Sequence, residues 1–347
     1  MLTDPRHSPI GTPTAWQALT HNAANEATGG IWRVSGSGGT AILKVATPPS
    51  ESDGQWAASD DPRHWNYWKR EYLAYSTGAT TAYGEGTTIS APRLLAAGPR
   101  ADGALELWLE DADGTPGQDW SVDRLADFAE QLGLAQARHV GTASQPWHSR
   151  QWLRQYAGRH DYRDIDWDAP KAAEHWPDEL RSGLRSVWER RTDLFDLVES
   201  LPQTLCHLDV WPMNLATRGD EPVLLDWSFF GSGAIGEDIA NLIADTFLDG
   251  LQPVGLLPEV ESALTDAYLA GLAAGGYRDE AATRKAIAAS GAAKYAWLAP
   301  MMLSRLASGQ STGSVSYDTD SGDDAVLARR RPIFEMITAW ARTALDT

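Results

Sequence analysis

Apolar and polar positions change their period about a third of the way along the chain. Before residue 110 they come in short, alternating runs. Ile31-Trp32-Arg33-Val34 and Thr40-Ala41-Ile42-Leu43-Lys44-Val45 are β-prone, and Ser35-Gly36-Ser37-Gly38-Gly39 between them has turn composition, so the pair predicts a hairpin. Leu105-Glu106-Leu107-Trp108-Leu109 alternates as a strand, and Glu110-Asp111-Ala112-Asp113-Gly114 ends it with turn chemistry. One helical segment interrupts the strands, from about His64 to Ser76, after a polar, Pro-rich loop from Pro48 to Arg63. Past residue 120 the period is helical. Val122 to His139 places Leu125, Phe128, Leu132 and Ala135 on one face behind Ser121, a candidate N-cap. Residues 256–274, 279–308 and 324–345 read as helices, with a Ser/Gly/Asp/Thr loop from Gly309 to Asp323 between the last two.

Composition narrows the field without choosing a function. A chain of 347 residues suits one two-lobed domain or two domains. No apolar run approaches the roughly 20 residues a membrane helix needs. The opening MLTDPRHSPIGTPTAW has no basic stretch followed by an apolar one, so no signal peptide is expected and the cytoplasm is the default. The single cysteine, Cys206, excludes an internal disulfide framework and reads as a small buried residue. A net charge of −18 argues against nucleic acid as a partner and could steer a cationic substrate. The expected partner is a small molecule, with neither membrane nor nucleic acid involved, and the chain is expected to be a monomer or homodimer.

The chemistry is concentrated in Leu205-Cys206-His207-Leu208-Asp209-Val210-Trp211-Pro212-Met213-Asn214 and Val223-Leu224-Leu225-Asp226-Trp227. Phosphoryl transfer asks little covalent work of a protein; positioning and charge stabilisation dominate. It needs a carboxylate at the acceptor hydroxyl and oxygen ligands for Mg²⁺, a hard cation. Asp209 and Asn214 are five residues apart, as in the kinase pattern H-x-D-x-x-x-x-N. Asp226 follows a β-prone run twelve residues later, and the turn residues Arg218 to Pro222 predict a hairpin that returns it to Asn214. On this reading Asp209 is the base or hydroxyl-orienting group, and Asn214 and Asp226 are the metal ligands. Trp-Ser after Asp226, and the lack of an A-P-E segment, point away from protein substrates.

Three stretches, CHLDVWPMN, VLLDWSFFGSGAIGEDIANL and LELWLEDADG, make the chain resemble the aminoglycoside phosphotransferase/choline kinase family. The resemblance implies an α+β, bilobal protein-kinase-like fold that uses ATP and Mg²⁺. Its N-terminal antiparallel β-sheet lobe, with one helix, would span residues 1–110 and bind the nucleotide. The larger, mainly helical lobe would span 111–347 and carry the catalytic and acceptor-binding groups. Lys44 would contact the phosphates, with Glu71 as its carboxylate partner. The backbone around Leu109, Glu110 and Asp111 would hold the adenine. Asp238, in Gly236-Glu237-Asp238-Ile239-Ala240, would brace the catalytic loop, and His207 would organise it. The phosphate-covering loop falls around Asn22 to Gly30, where no G-x-G-x-x-G occurs. The acceptor would lie in the helical lobe, where Asp161, Asp164, Asp166 and Asp168 stand among Trp147, Trp152, Trp167, Trp176 and Trp188, a mixture suited to cationic or sugar-like ligands.

The resulting expectation is transfer of the γ-phosphate to a small-molecule hydroxyl, with an aminoglycoside, amino sugar or other sugar favoured. Choline/ethanolamine-type and macrolide kinases stand as alternatives, as does a catalytically silent nucleotide-binding module. A literal G-x-G-x-x-G at Gly231 to Gly236 admits a dinucleotide fold. However, Trp227 to Phe230 separate it from the strand, and no parallel strand with a terminal acid follows.

Overall fold

The computed structural model describes residues 8–51, 54–313 and 322–346. The start of the segment read for a signal peptide and the middle of the 309–323 loop lie outside the described residues. In chain order the elements are β1 (Pro13–Ala18), β2 (Thr28–Gly36), β3 (Gly39–Ala46), α1 (Arg70–Ser76), α2 (Ala79–Gly84), β4 (Leu94–Pro99) and β5 (Leu105–Glu110). There follow α3 (Val122–Ala137), α4 (Trp152–Gly158), α5 (Pro170–His175), α6 (Asp178–Glu189), α7 (Arg191–Ser200) and β6 (Gln203–Cys206). The remainder are β7 (Leu215–Arg218), β8 (Glu221–Leu224), β9 (Gly231–Ala234), α8 (Glu237–Leu248), α9 (Leu257–Ala274), α10 (Glu280–Tyr295), α11 (Leu298–Ala307) and α12 (Asp323–Leu345). Contacts group these into two units. The first runs up to Pro116 and adds Ser144–Arg150 and Asn214–Gly231; the second holds the rest.

The first unit is built on a five-stranded antiparallel sheet in the order β1-β2-β3-β5-β4. Ala41, Leu43 and Val45 point from β3 into an apolar cluster with Ile10, Val34 and Trp108. Strand alternation then puts Lys44 on the opposite face, opposite Ile31 on β2 and Leu107 on β5. The helix carrying Glu71 begins at Arg70, six residues later than the apolar pattern suggests. The cause is visible in the preceding turns. The buried Arg70 guanidinium collects the carbonyls of Pro62, His64 and Trp65 (3.0, 2.7 and 2.9 Å), together with Trp147 and Ser228 (3.2 and 3.3 Å). With these carbonyls turned toward the cation the helical ladder is not made, and the Trp68 amide donates instead to the Ser59 carbonyl at 3.4 Å. Burial pushes Arg70 down to about 9, which leaves it cationic at neutral pH. A second short helix, α2, follows Gly78 and does not announce itself in the sequence.

The second unit is mainly helical, with β6 and β9 paired in a small sheet. Helix α3 has the Ser121 cap, whose side chain accepts the Arg124 amide, and it buries Leu125, Phe128, Leu132 and Ala135. It packs closely on α9: a Cβ on Gly271 would come within 1.9 Å of the Glu130 carbonyl oxygen, so only glycine fits. The helix expected over 279–308 is two, broken at Ala296-Trp297. Pro300 has no N–H to continue the ladder, and its ring would collide with the carbonyl four residues back. Among the described residues, no helix is long and apolar enough to cross a membrane.

Candidate active site

In the first unit, three residues far apart in sequence meet. Lys44 Nζ lies 2.6 Å from Glu71 Oε2 and 3.0 Å from Asp226 Oδ1. Burial disfavours the charged ammonium, but the two carboxylates outweigh it and hold Lys44 above its ordinary range. The Ser228 hydroxyl adds a link, 2.5 Å from Asp226 Oδ1 and 3.3 Å from Glu71 Oε2, while Glu71 Oε1 accepts the Trp227 amide at 3.3 Å. Asp226 has φ +58°, a left-handed backbone that costs a non-glycine residue on the order of 1 kcal/mol or more and is held by this network. Trp227 is fully buried against Tyr83 and Phe230, with its indole N–H donating to Leu224. The β7–β8 hairpin returns the chain as its turn residues suggest: the Leu225 amide donates to the Asn214 carbonyl at 2.8 Å, so Asn214 and Asp226 stand on adjacent strand ends.

Leu109 is buried in β5. The Glu110 carboxylate pairs with Arg218 (2.5 Å) and Arg93 (3.3 Å), and Asp111 pairs with Arg33 (2.7 Å). The Glu110 amide is already given to the Arg93 carbonyl at 2.9 Å. The side chains of Glu110 and Asp111 are thus engaged with arginines, and Leu109 is part of the buried sheet.

In the second unit, β6 runs into His207, Leu208 and Asp209. His207 is fully buried and Leu208 has φ +70°. Asp238 holds this turn. Its Oδ2 accepts the His207 amide at 2.8 Å and the Gln136 side-chain N–H at 2.7 Å, and its Oδ1 accepts the Leu208 amide at 2.7 Å. Burial pushes Asp238 up to about 6 even against these donors. Gly236 (φ +104°) caps α8 and places Asp238 in its first turn, where the helix dipole favours an anion. Beyond the turn, Asn241 donates to the Val210 carbonyl at 2.5 Å and accepts from the Tyr295 hydroxyl at 3.2 Å. Asp209 is partly exposed between two buried neighbours, Leu208 and Val210.

Residues 31–284 match the profile described as the phosphotransferase enzyme family, well over half of the chain. The chain belongs to this family. It is a phosphotransferase with an alcohol group as acceptor. The chain matches no curated protein sequence. Among solved structures it is similar to an aminoglycoside phosphotransferase from Alicyclobacillus acidocaldarius (15% identity, 95% of this chain and 91% of that one, TM-score 0.50). It is also similar to a thermostable mutant of aminoglycoside phosphotransferase APH(4)-Ia, in ternary complex with AMP-PNP and hygromycin B (14%, 97% of both chains, TM-score 0.50). A choline kinase from Cryptosporidium parvum aligns at 14% identity over 96% of this chain and 90% of that one, with a TM-score of 0.47. At these identities the likeness establishes the kinase-like α+β fold that the sequence motifs imply.

The acidic residues read from the sequence as acceptor contacts fall in the second, mainly helical unit. Asp161, Asp164 and Asp166 lie there, exposed, on the stretch between α4 and α5. Asp161 is bonded to Arg163 (2.7 Å), and Asp166 accepts the Asp168 amide (3.1 Å). Their carboxylates do not converge to metal-ligand distance. Trp152, Trp176 and Trp188 are buried packing residues, whereas Trp167 is partly exposed. The glycines at 231–236 form β9 and the turn into α8 rather than a strand-to-helix phosphate turn.

Three contributors escaped the sequence reading. Asn241 lies one helical turn after Asp238, so its shared face was legible. Gln136 and Ser228 gave no local signal. Glu237, also buried beneath this turn, accepts the Ala234 amide at 3.1 Å, and burial with Asp238 nearby raises it to about 8. The folded protein thus binds this proton more tightly than the unfolded chain, whose carboxyl titrates near 4.5. The associated stability is complete below that value and is lost as pH rises through 8. Glu237→Gln is expected to flatten this slope and to be more stable than wild type at pH 9, by on the order of 2–4 kcal/mol. Parallel melting-temperature profiles from pH 5 to 9 would refute it.

Proposed function

We propose that the chain transfers the γ-phosphoryl group of ATP, with Mg²⁺, to a hydroxyl of a small molecule. The observation that carries this reading is the Lys44 ammonium shared between Glu71 and Asp226, with Asn214 beside Asp226. A partly exposed carboxylate, Asp226, and a carboxamide, Asn214, on adjacent strand ends are the kind of oxygen donors a hard divalent cation takes. Asn214 and Asp226 would hold Mg²⁺, which when bound neutralises charge on the β- and γ-phosphates. Lys44, fixed by Glu71, meets the phosphate oxygens. The β5 backbone at Leu109, Glu110 and Asp111 faces the adenine. Asp209 accepts the acceptor hydroxyl's proton, or orients the hydroxyl, as the phosphoryl group moves. Its carboxylate is suited to this because Asp238 and Asn241 pin the peptide groups on either side of it.

The favoured acceptor is an aminoglycoside, amino sugar or other sugar. The net charge of −18 would draw in a cationic compound, and the structurally similar APH(4)-Ia is seen with hygromycin B. Of the three candidate acceptor contacts, Asp161 already holds Arg163 and Asp166 the Asp168 amide, which leaves Asp164 with most freedom to reorient. A screen of aminoglycosides, free sugars, choline and macrolides, read by ADP release, tests the proposal. Acceptor-dependent release with one class supports it. Absence of both ATP·Mg²⁺ binding and ADP release would overturn it.

A further inference from the structure

A glycine-rich loop grips phosphates by presenting backbone N–H groups at close range. In the loop at Asn22 to Gly30 the amides of the central stretch, Ala24 to Thr28, are already used. Ala24 donates to the Asn22 side chain (3.0 Å), Asn25 to the Asn22 carbonyl (3.0 Å), and Glu26 to the Trp56 carbonyl (3.1 Å). Ala27 donates to the Asn25 side chain and Thr28 to the Asn25 carbonyl, both at 3.1 Å. Five consecutive amides are thereby committed within the protein.

The Glu26 bond crosses to the segment between β3 and α1, which the sequence presents as a plain polar loop. From Gly54 to Trp68 this segment is an ordered strap. The Ser59 amide donates to Asn66 (3.1 Å), the Trp68 indole donates to Asp60 (2.8 Å), and Trp56 packs edge-on against Trp65 at 5.2 Å. Trp65 also packs on Phe229, three residues beyond Asp226. The key of the strap is Asn66, only 3% exposed. Its side-chain N–H group reaches the Trp56 and Ala57 carbonyls (3.0 and 3.1 Å) and, across to the loop, Asn25 Oδ1 (2.9 Å). A cavity opens beside these groups, lined by Asn25, Thr28, Lys44, Asn66, Tyr67 and Glu71. Lys44 and Asn25 thus share the lining of one cavity, with Asn66 buried behind Asn25.

We propose that this strap and loop form a polyphosphate grip built from side chains: Asn25 binds the phosphate tail of a nucleoside di- or triphosphate, and Asn66 is the positioning residue that sets it. The inference rests on the kinase reading above. With Asn25 Oδ1 taken by Asn66 and Ala27, the Nδ2 group is the part of this carboxamide that can donate to a phosphate oxygen. Where a glycine pattern would present amides, this strap holds a carboxamide.

Calorimetric titration of wild type, Asn25→Ala and Asn66→Ala with ATP, ADP and adenosine tests it. Each substitution should weaken ATP and ADP by about tenfold, the loss of one hydrogen bond to a charged group, and leave adenosine within about twofold. Asn66→Ser retains a small polar side chain and serves if Asn66→Ala does not fold, a point checked by near-ultraviolet circular dichroism. Equal weakening of all three ligands would mean a purely structural strap and overturns the proposal. Unchanged affinities overturn it as well. Wild type binding none of the three ligands would instead bring down the kinase reading, and this inference with it.

Discussion

Asp209→Ala is expected to bind ATP·Mg²⁺ as wild type does and to transfer no measurable phosphate. General-base assistance is worth roughly 10²–10⁴ in rate, so kcat should fall by about 10³ or more. The side chain stands partly exposed on its turn, and the Leu208 and Val210 peptide groups are held by Asp238 and Asn241 rather than by Asp209 itself. The loop should therefore keep its course, and the lysine–carboxylate cluster in the other unit should be untouched. Two measurements decide it together: ATP affinity by calorimetry and acceptor-dependent ADP release. Turnover within about tenfold of wild type would sink the mechanism. A parallel loss of ATP binding would show that the residue serves architecture instead.

Asp238→Ala is expected to have the largest effect on stability. Three buried N–H donors, from His207, Leu208 and Gln136, would lose their acceptor at once. Each buried donor left unmade costs about 1–3 kcal/mol, and relaxation or entering water recovers part of that, so a loss of roughly 3–5 kcal/mol is expected. Leu208 would also lose the bond that keeps it at φ +70°, and kcat should fall even in the fraction that remains folded. Asp238→Asn, which keeps an acceptor oxygen, should be milder on both counts. Chemical denaturation with a single-turnover assay on the folded protein checks this. If Asp238→Ala unfolds at the same denaturant concentration as wild type, the brace does not carry the loop.

The parts of the site that were legible in the sequence are those set by local spacing. The five residues from Asp209 to Asn214 and the turn chemistry before Asp226 are properties of one short stretch, and the hairpin forms where they place it. Lys44 and Glu71 were found through the family resemblance, which looks for a lysine late in a strand and its carboxylate partner on the following helix. Backbone conformations were not legible. Leu208 and Asp226 take left-handed φ values that neither residue type prefers, and only partners from α8 and α1 make them tolerable. The strap was hidden for a related reason. Its Pro, Asp and Ser content reads as a solvated loop, while its order comes from an asparagine and an arginine spent on backbone carbonyls. Side-chain-to-backbone bonds of this kind have no periodicity for a sequence to display.

Arg70 draws five carbonyls from three separate segments onto one guanidinium, beside the glutamate that fixes Lys44. A guanidinium stays charged across the pH range of living cells and offers no hydroxyl for phosphorylation. The α1 helix is thus fastened by a group that ordinary signalling chemistry does not toggle. The seat of Glu71 is therefore expected to hold unchanged over the pH range in which histidines titrate.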